Sequence, residues 1–352
     1  MDLQQGIAAV RPLCEDSRAQ AAQRFSDIAM PLGSLGLLQD AVAQIAAIRR
    51  TPRPSIAKRA VVMFCADNGV VAQGVTQCGQ EVTATVTENM GRGQSAVCLM
   101  ARHIGMDSFP VDIGVARDVY GERILHRKIR YGTADMTKEA AMTRAEAVRA
   151  VETGIELAQW CAAQGYDLLC GGEMGIGNTT TSAAVTAVLT GADVETVTGR
   201  GAGLSSEGLE RKVRAIQTAL ALHRPDPSDP LDVLHKVGGL DIAGLAGLYL
   251  GAAACGLPVV LDGVISCAAA LVAVRLCPEV RGYLLAGHRS EEPAGALLLR
   301  ELELQPFITA GMRLGEGTGA VAAVSLLDLV FAAYDGMPRF DEVGIEAYQP
   351  LV

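Results

Sequence analysis

Aromatic residues make up only 4% of this 352-residue chain, with a single tryptophan, so the interior has to be assembled from other material. Half of the residues are nonetheless hydrophobic, which leaves Ala, Val, Leu, Ile and Gly as the filling, the stuff of close-packed helix–sheet layers. Positive charge is also short. A formal net charge of −9 and a pI near 5.2 exclude nucleic acid and an anionic membrane as main partners, though not a local phosphate site. The nine cysteines contain no C-x-x-C pair, and with the five histidines they offer no spacing suited to zinc. The thiols therefore read as reduced and partly buried, as in a cytoplasmic protein, and no metal is expected. The amino terminus, MDLQQGIAAV, lacks the basic-then-apolar layout of a signal peptide. A clean membrane span is missing too. Ile242–Val274 is uncharged apart from Asp262, but Gly256-Leu257-Pro258 splits it into buried helix, strand and buried helix.

What is present is alternation. Residues 1–50 read as helices, one of them capped by Ser34 with Leu35, Leu38, Val42 and Ile45 on one face. Thr51-Pro52-Arg53-Pro54 then acts as a linker. From there a strand, a small-residue loop and a helix recur: Ala60–Cys65, Ser108–Ile113, Leu168–Cys170, Pro258–Leu261, Tyr283–Leu285 and Phe307–Met312 are the expected strands. Thr143 and Glu146 form a capping-box pair, Gly165 closes that helix, and another helix starts near Ser205. Uninterrupted apolar strands alternating with helices mean an α/β fold, a parallel sheet flanked by helices on both faces. Ligands in such folds gather at the carboxyl ends of the strands. The expected division is a small helical domain from 1–50 plus 335–352 and a large α/β catalytic domain over 51–334.

The polar, glycine-bearing loops fall at those strand ends. In YDLLCGGEMGIGNTTTS a short strand breaks into Gly171, Gly172, Gly175 and Gly177 around Glu173, then restarts as a helix at Asn178 and Thr179. Amides at a helix N-terminus and glycines beside them suit a phosphate. A glycine-rich turn capped by threonines reads the same way. No GK[ST] follows, and no G-x-G-x-x-G opens the junction. In RLGEGTG, Glu316 sits among glycines between a strand and an apolar helix, where it can face a small substrate or stabilise the helix start; the dipole there would hold its pKa low unless the site is dry. Gly199-Arg200-Gly201-Ala202-Gly203 introduces a third helix carrying Lys212, either a second phosphate loop with its cation or a flexible turn with a solvated lysine. Asp67, Asp112 and Asp262 end strands, as helix caps or ribose-binding acids. His288 alone of the histidines lies in a loop of interest, with a structural hydrogen bond the plainer role.

Taken together, GGEMGIGNTT, GRGAG and RLGEGTGA, with PLGSLG, ADNGVVAQGV and AGHRSEEP, resemble the nicotinate-nucleotide–dimethylbenzimidazole phosphoribosyltransferases of cobalamin assembly over nearly the whole chain. The resemblance implies transfer of phosphoribose from nicotinate mononucleotide to 5,6-dimethylbenzimidazole or a related base, giving α-ribazole 5′-phosphate and nicotinate. It also implies a Rossmann-like sheet and a homodimer whose active site the neighbouring subunit completes. The family's catalytic base falls on Glu316. The remaining substrate-binding positions expected here are Glu173, Gly175, Gly177, Asn178 and Thr179 in the first loop, and Gly201 with Lys212 in the GRGAG segment. Arg313, Leu314, Asp262, Ser290 and Gln80 complete the set, Leu314 and the Thr76–Gln80 segment being candidates for the slot that takes the aromatic base. No cofactor is expected. Two rivals remain: a nicotinamide-dinucleotide oxidoreductase, which the missing fingerprint disfavours, and a non-catalytic nucleotide- or base-binding protein on the same fold.

Overall fold

The strand Arg59–Ala66 (β1) is buried from its second residue to its last, which places it in the middle of a sheet covered on both faces. Side chains alternate along it. Ala60, Val62 and Phe64 enter one apolar layer, and Val61, Met63 and Cys65 enter the other. The computed structural model, which describes residues 1–349, puts six further strands around it: Asp107–Gly114 (β2), Leu125–His126 (β3), Leu168–Met174 (β4), Val259–Leu261 (β5), Leu284–His288 (β6) and Pro306–Ile308 (β7). All pair in parallel, in the order β3-β2-β1-β4-β5-β6-β7. The chain runs outward from β1 to β3 and returns to β4 on the other side of β1. That reversal opens a crevice at the carboxyl ends of β1 and β4.

Helices Leu3–Ala9 (α1), Glu15–Asp27 (α2) and Leu37–Arg49 (α3) precede the sheet; Glu81–Gly91 (α4) and Ala96–His103 (α5) connect β1 to β2. Arg144–Ala163 (α6), Asn178–Thr190 (α7), Val194–Val197 (α8), Ser206–His223 (α9), Pro230–Val237 (α10) and Leu240–Ala254 (α11) follow, with α7 onward linking β4 to β5. Val264–Leu276 (α12), Ala294–Glu301 (α13) and Thr318–Gly336 (α14) complete the set. The uncharged stretch after residue 241 is α11, β5 and α12, all in the core. By length and composition α14 alone, among the described residues, could cross a membrane, but half of it is buried against the protein.

The chain ends meet. Ala29 N–H donates to Pro338 O and Phe340 N–H to Asp27 O, at 3.0 and 3.1 Å. Phe25, Ile28, Val42 and Ile45 share one apolar layer with Val61, Met63 and α14, so the helical ends are continuous with the core under one face of the sheet. Residues 350–352 of the expected C-terminal piece lie outside the described residues.

Several sequence expectations need correction. Ser34 caps nothing: the segment from Pro31 folds into consecutive turns, and α3 starts two residues later than expected, behind Gly36. β4 does not stop at Cys170 but continues through Gly171, Gly172 and Glu173 to Met174, because β1 supplies ladder partners up to Cys65. β6 likewise extends through His288, whereas β7 ends at Ile308, well short of Met312. The Thr143–Glu146 capping box and the Ser205 cap are both present.

Candidate active site

The crevice at the strand ends widens into a cleft of about 990 Å³, counting the part open to solvent. Four strand-to-helix segments line it: Glu173–Thr179 after β4, Asp262–Ser266 after β5, His288–Glu292 after β6 and Arg313–Glu316 after β7. The Arg200–Leu204 turn and Val75–Cys78 close its sides.

Glu173 is the pivot. It still belongs to β4 and is 6% exposed, yet both carboxylate oxygens are engaged: Oε2 accepts from the Asn178 amide, and Oε1 from the Glu316 backbone N–H at 3.4 Å. A Cβ on Gly315 would lie 2.6 Å from Oε1, so only glycine lets that turn fold over the acid. The same Asn178 amide donates to Asp241 Oδ2 at 3.1 Å, and Asp241 is fully buried in the first turn of α11. Burial, with Asp241 and Asp262 nearby, pushes Glu173 up to about 8, and burial pushes Asp241 up to about 6. The charges acting on these acids are other carboxylates.

Glu316 departs from expectation in an informative way. It adopts φ +63, between Gly315 at +85 and Gly317 at +97, a left-handed stretch unusual for a non-glycine residue. Its Oε2 is buried without a hydrogen-bond partner. Burial raises its pKa, so the desolvated surroundings outweigh the helix dipole. Asp262 fixes this loop. Its Oδ1 and Oδ2 accept from the backbone N–H groups of Gly319 and Gly317, at 2.7 and 3.1 Å, and His288 Nε2 stands 3.4 Å from Oδ1. Asp262 thus caps α14 across the sheet while also lining the cleft.

Other expected positions sort as follows. Gly175, Gly177, Asn178, Thr179, Gly201, Ser290, Arg313 and Leu314 all line the cleft. Gly175 has a structural reason as well: a Cβ there would meet Ala66 O at 2.4 Å. The turn exposes fewer amides than expected, since Ile176 N–H donates to Thr83 Oγ1 and the N–H groups of Asn178 and Thr180 to the Gly175 and Gly177 carbonyls. Lys212 is neither solvated nor on the cleft wall. It is completely buried, donating to Thr179 Oγ1 at 2.7 Å and Gly199 O at 3.0 Å, so it braces the GRGAG turn against α7 from behind. Desolvation lowers its pKa to about 8, with Glu292 opposing. Gln80 is not at the cleft: its amide folds back onto Asn68 O at 3.3 Å, and Thr76, Gln77 and Cys78 line the wall instead. Sequence reasoning missed Asp241 and Asn68. The Gly238-Gly239 pair ahead of Asp241, a glycine turn feeding an apolar helix, was the available signal.

A phosphoribosyltransferase family model matches residues 10–345. The nicotinate-nucleotide–dimethylbenzimidazole phosphoribosyltransferase of Acetivibrio thermocellus is 45% identical over 348 residues, 99% of each chain. The enzyme of that name from Chloroflexus aggregans is 48% identical, covering 97% of this chain and 98% of its own. The crystal structure of CobT from Thermus thermophilus superposes with a TM-score of 0.90 at 40% identity, covering 95% of this chain and 100% of that one. The matched range contains every segment that forms the cleft, from the turns after β1 to the start of α14. This chain therefore belongs to the nicotinate-nucleotide–dimethylbenzimidazole phosphoribosyltransferase family.

Proposed function

We propose that the protein transfers phosphoribose from nicotinate mononucleotide to 5,6-dimethylbenzimidazole or a related base, releasing nicotinate and forming α-ribazole 5′-phosphate. The observation that carries this reading is a cleft, lined also by Arg200 and Arg313, whose two acids, Glu173 and Glu316, are buried with the carboxylate of Asp262 acting on both. Such a cleft suits a substrate that brings positive charge with it. The pyridinium nitrogen of the nucleotide is already cationic, so its bond to C1′ breaks without a general acid and the electron pair leaves on the ring nitrogen. A benzimidazole nitrogen forms the new bond to C1′ from the opposite face, which inverts the centre. The proton on its other nitrogen passes to Glu316 Oε2, the oxygen without a partner. Glu173 faces the oxocarbenium-like charge on the ribose.

Gly177, Asn178, Thr179 and Gly201 are assigned to the phosphate and ribose, with Lys212 acting through Thr179 rather than by direct contact. Leu314, Thr76, Gln77 and Cys78 are assigned to the aromatic base, and Arg313 and Ser290 to the rim; Gly175 lets β4 pack against β1. Leu314, at 60% exposure, leaves the base side of the cleft open, which fits a homodimer whose second subunit covers it. The helical ends, 1–50 with the described part of 335–352, are assigned as the smaller structural unit, and the nine unpaired thiols fit a cytoplasmic setting.

Incubation with nicotinate mononucleotide and dimethylbenzimidazole, followed by chromatography, should give nicotinate and α-ribazole phosphate in equal amounts. Binding of the nucleotide with no release of nicotinate would make the protein a binder only. A mixture of competing bases in the same assay reports which one is preferred.

A further inference from the structure

Asp241 lies outside the cleft lining and has no part in the chemistry above, yet it is a fully buried carboxylate one hydrogen bond from that lining, through Asn178. The two N–H bonds of the Asn178 carboxamide point to Glu173 Oε2 on one side and Asp241 Oδ2 on the other. Asp241 Oδ1 accepts from the Ile242 amide at 3.0 Å, in the first turn of α11, where the helix dipole favours an anion. Around this pair the facing groups are Asp67 and Asn68 after β1, Asp262 after β5 and the backbone of Gly315 and Glu316. None of them is a cation. A Cβ on Gly175 or Gly239 would lie 2.6 or 2.4 Å from an Asp241 oxygen, so the chain is folded tightly around the carboxylate.

Two buried acids bridged by one amide, with other carboxylates acting on both, hold a single negative charge more readily than two. The helix start gives that charge to Asp241 and leaves the proton on Glu173. From this arrangement we propose that Asp241 is a positioning residue that, through Asn178, keeps Glu173 protonated in the empty cleft, so that seating the nucleotide with its cationic pyridinium-ribose bond against Glu173 expels a proton to solvent. The chemistry is a simple ionisation: the Glu173 O–H bond breaks, the proton goes to buffer, and the carboxylate left behind faces the substrate's positive charge. The inference rests on the assignment of Glu173 to the cationic centre. The titration windows agree with it, Glu173 near 8 and Asp241 near 6.

The test is calorimetric titration of the whole protein with nicotinate mononucleotide at neutral pH, in PIPES and in Tris, which differ in ionisation heat. A buffer-dependent heat equal to most of a proton released is expected; identical heats in the two buffers overturn the proposal. The acidic limb of the pH dependence of kcat/KM gives the second reading. Asp241→Asn should move that limb down by about one unit, and proton release at neutral pH should fall with it. Asn178→Ser, which removes the bridging donor, should move the limb up. An unmoved limb in either folded variant overturns the proposal, since a purely structural role would change the melting temperature and leave the limb in place. Should both variants fail to fold, the wild-type heats still decide. Absence of nicotinate release by wild type would instead sink the transferase reading, and the binding heats remain measurable in that case.

Discussion

The two glutamates of the cleft precede helices that start alike but stand differently to their strands. Each junction ends in a glycine at the helix N-cap, Gly177 at φ +94 and Gly317 at +97, and each opens an apolar helix through threonine. Glu173, however, is still inside its strand, paired with Phe64 of β1, and both its oxygens are taken. Glu316 lies beyond its strand in a left-handed turn, half-buried, with one oxygen unpartnered. Strand residues are fixed in place by their neighbours; a turn residue with a free oxygen can accept a proton. The contrast fits the proposed division, electrostatic work for Glu173 and proton transfer for Glu316.

The sharpest way to break that assignment is Glu316→Gln, which keeps size and shape but cannot take a proton. Turnover should fall by roughly two to four decades while nucleotide binding is largely retained. Near-normal turnover would mean the base is deprotonated elsewhere and the two junctions are not specialised as described. A smaller effect is expected where the junctions touch. A Cβ on Gly172 would lie 2.3 Å from the Glu316 carbonyl oxygen and 2.9 Å from Met63 Cγ. Gly172→Ala should therefore displace the Glu316 turn, destabilising the protein by roughly 1–3 kcal/mol and lowering kcat more than it changes nucleotide affinity. Thermal melts beside steady-state kinetics check this, and an unaltered kcat would show that the turn has slack.

Much of this was legible in sequence because the informative residues are close together. Continuous apolar runs at 60–65 and 168–170 marked the central strands, and glycines flanking an acid marked Glu173 and Glu316. What stayed hidden depends on long-range pairing. Asp241 meets Asn178 from 63 residues away, and only the return of the chain across the sheet brings them together. The two-residue β3 has too little pattern to notice. Lys212 is different, since it sits on the buried stripe of α9 between Leu209 and Ile216. A lysine at that spacing signals a buried cation, and both sequence readings, as the phosphate's cation and as a solvated side chain, overlooked the periodicity. Gln80 failed because its side chain turns back on its own segment to Asn68, a choice that backbone pattern does not encode.

The smallest effect separates the two acids by stability. Glu173 in the folded protein holds its proton up to about pH 8, above its ordinary value of 4.5. Its contribution to stability is therefore complete below the ordinary value and is lost as the pH rises through the folded one, because the unfolded chain ionises first. A glutamine does not titrate and escapes that loss. Glu173→Gln should thus melt a few degrees higher than wild type near the upper end of this window, taking about 2–4 °C per kcal/mol, with the difference vanishing on acidification. Its turnover should fall at the same time, because the anion facing the ribose is gone. Glu316→Gln, only half-buried in its turn, should stabilise less over the same pH range. Equal gains from both substitutions, measured by melts at several pH values, would mean that the strand position does not isolate Glu173 from water as its burial indicates.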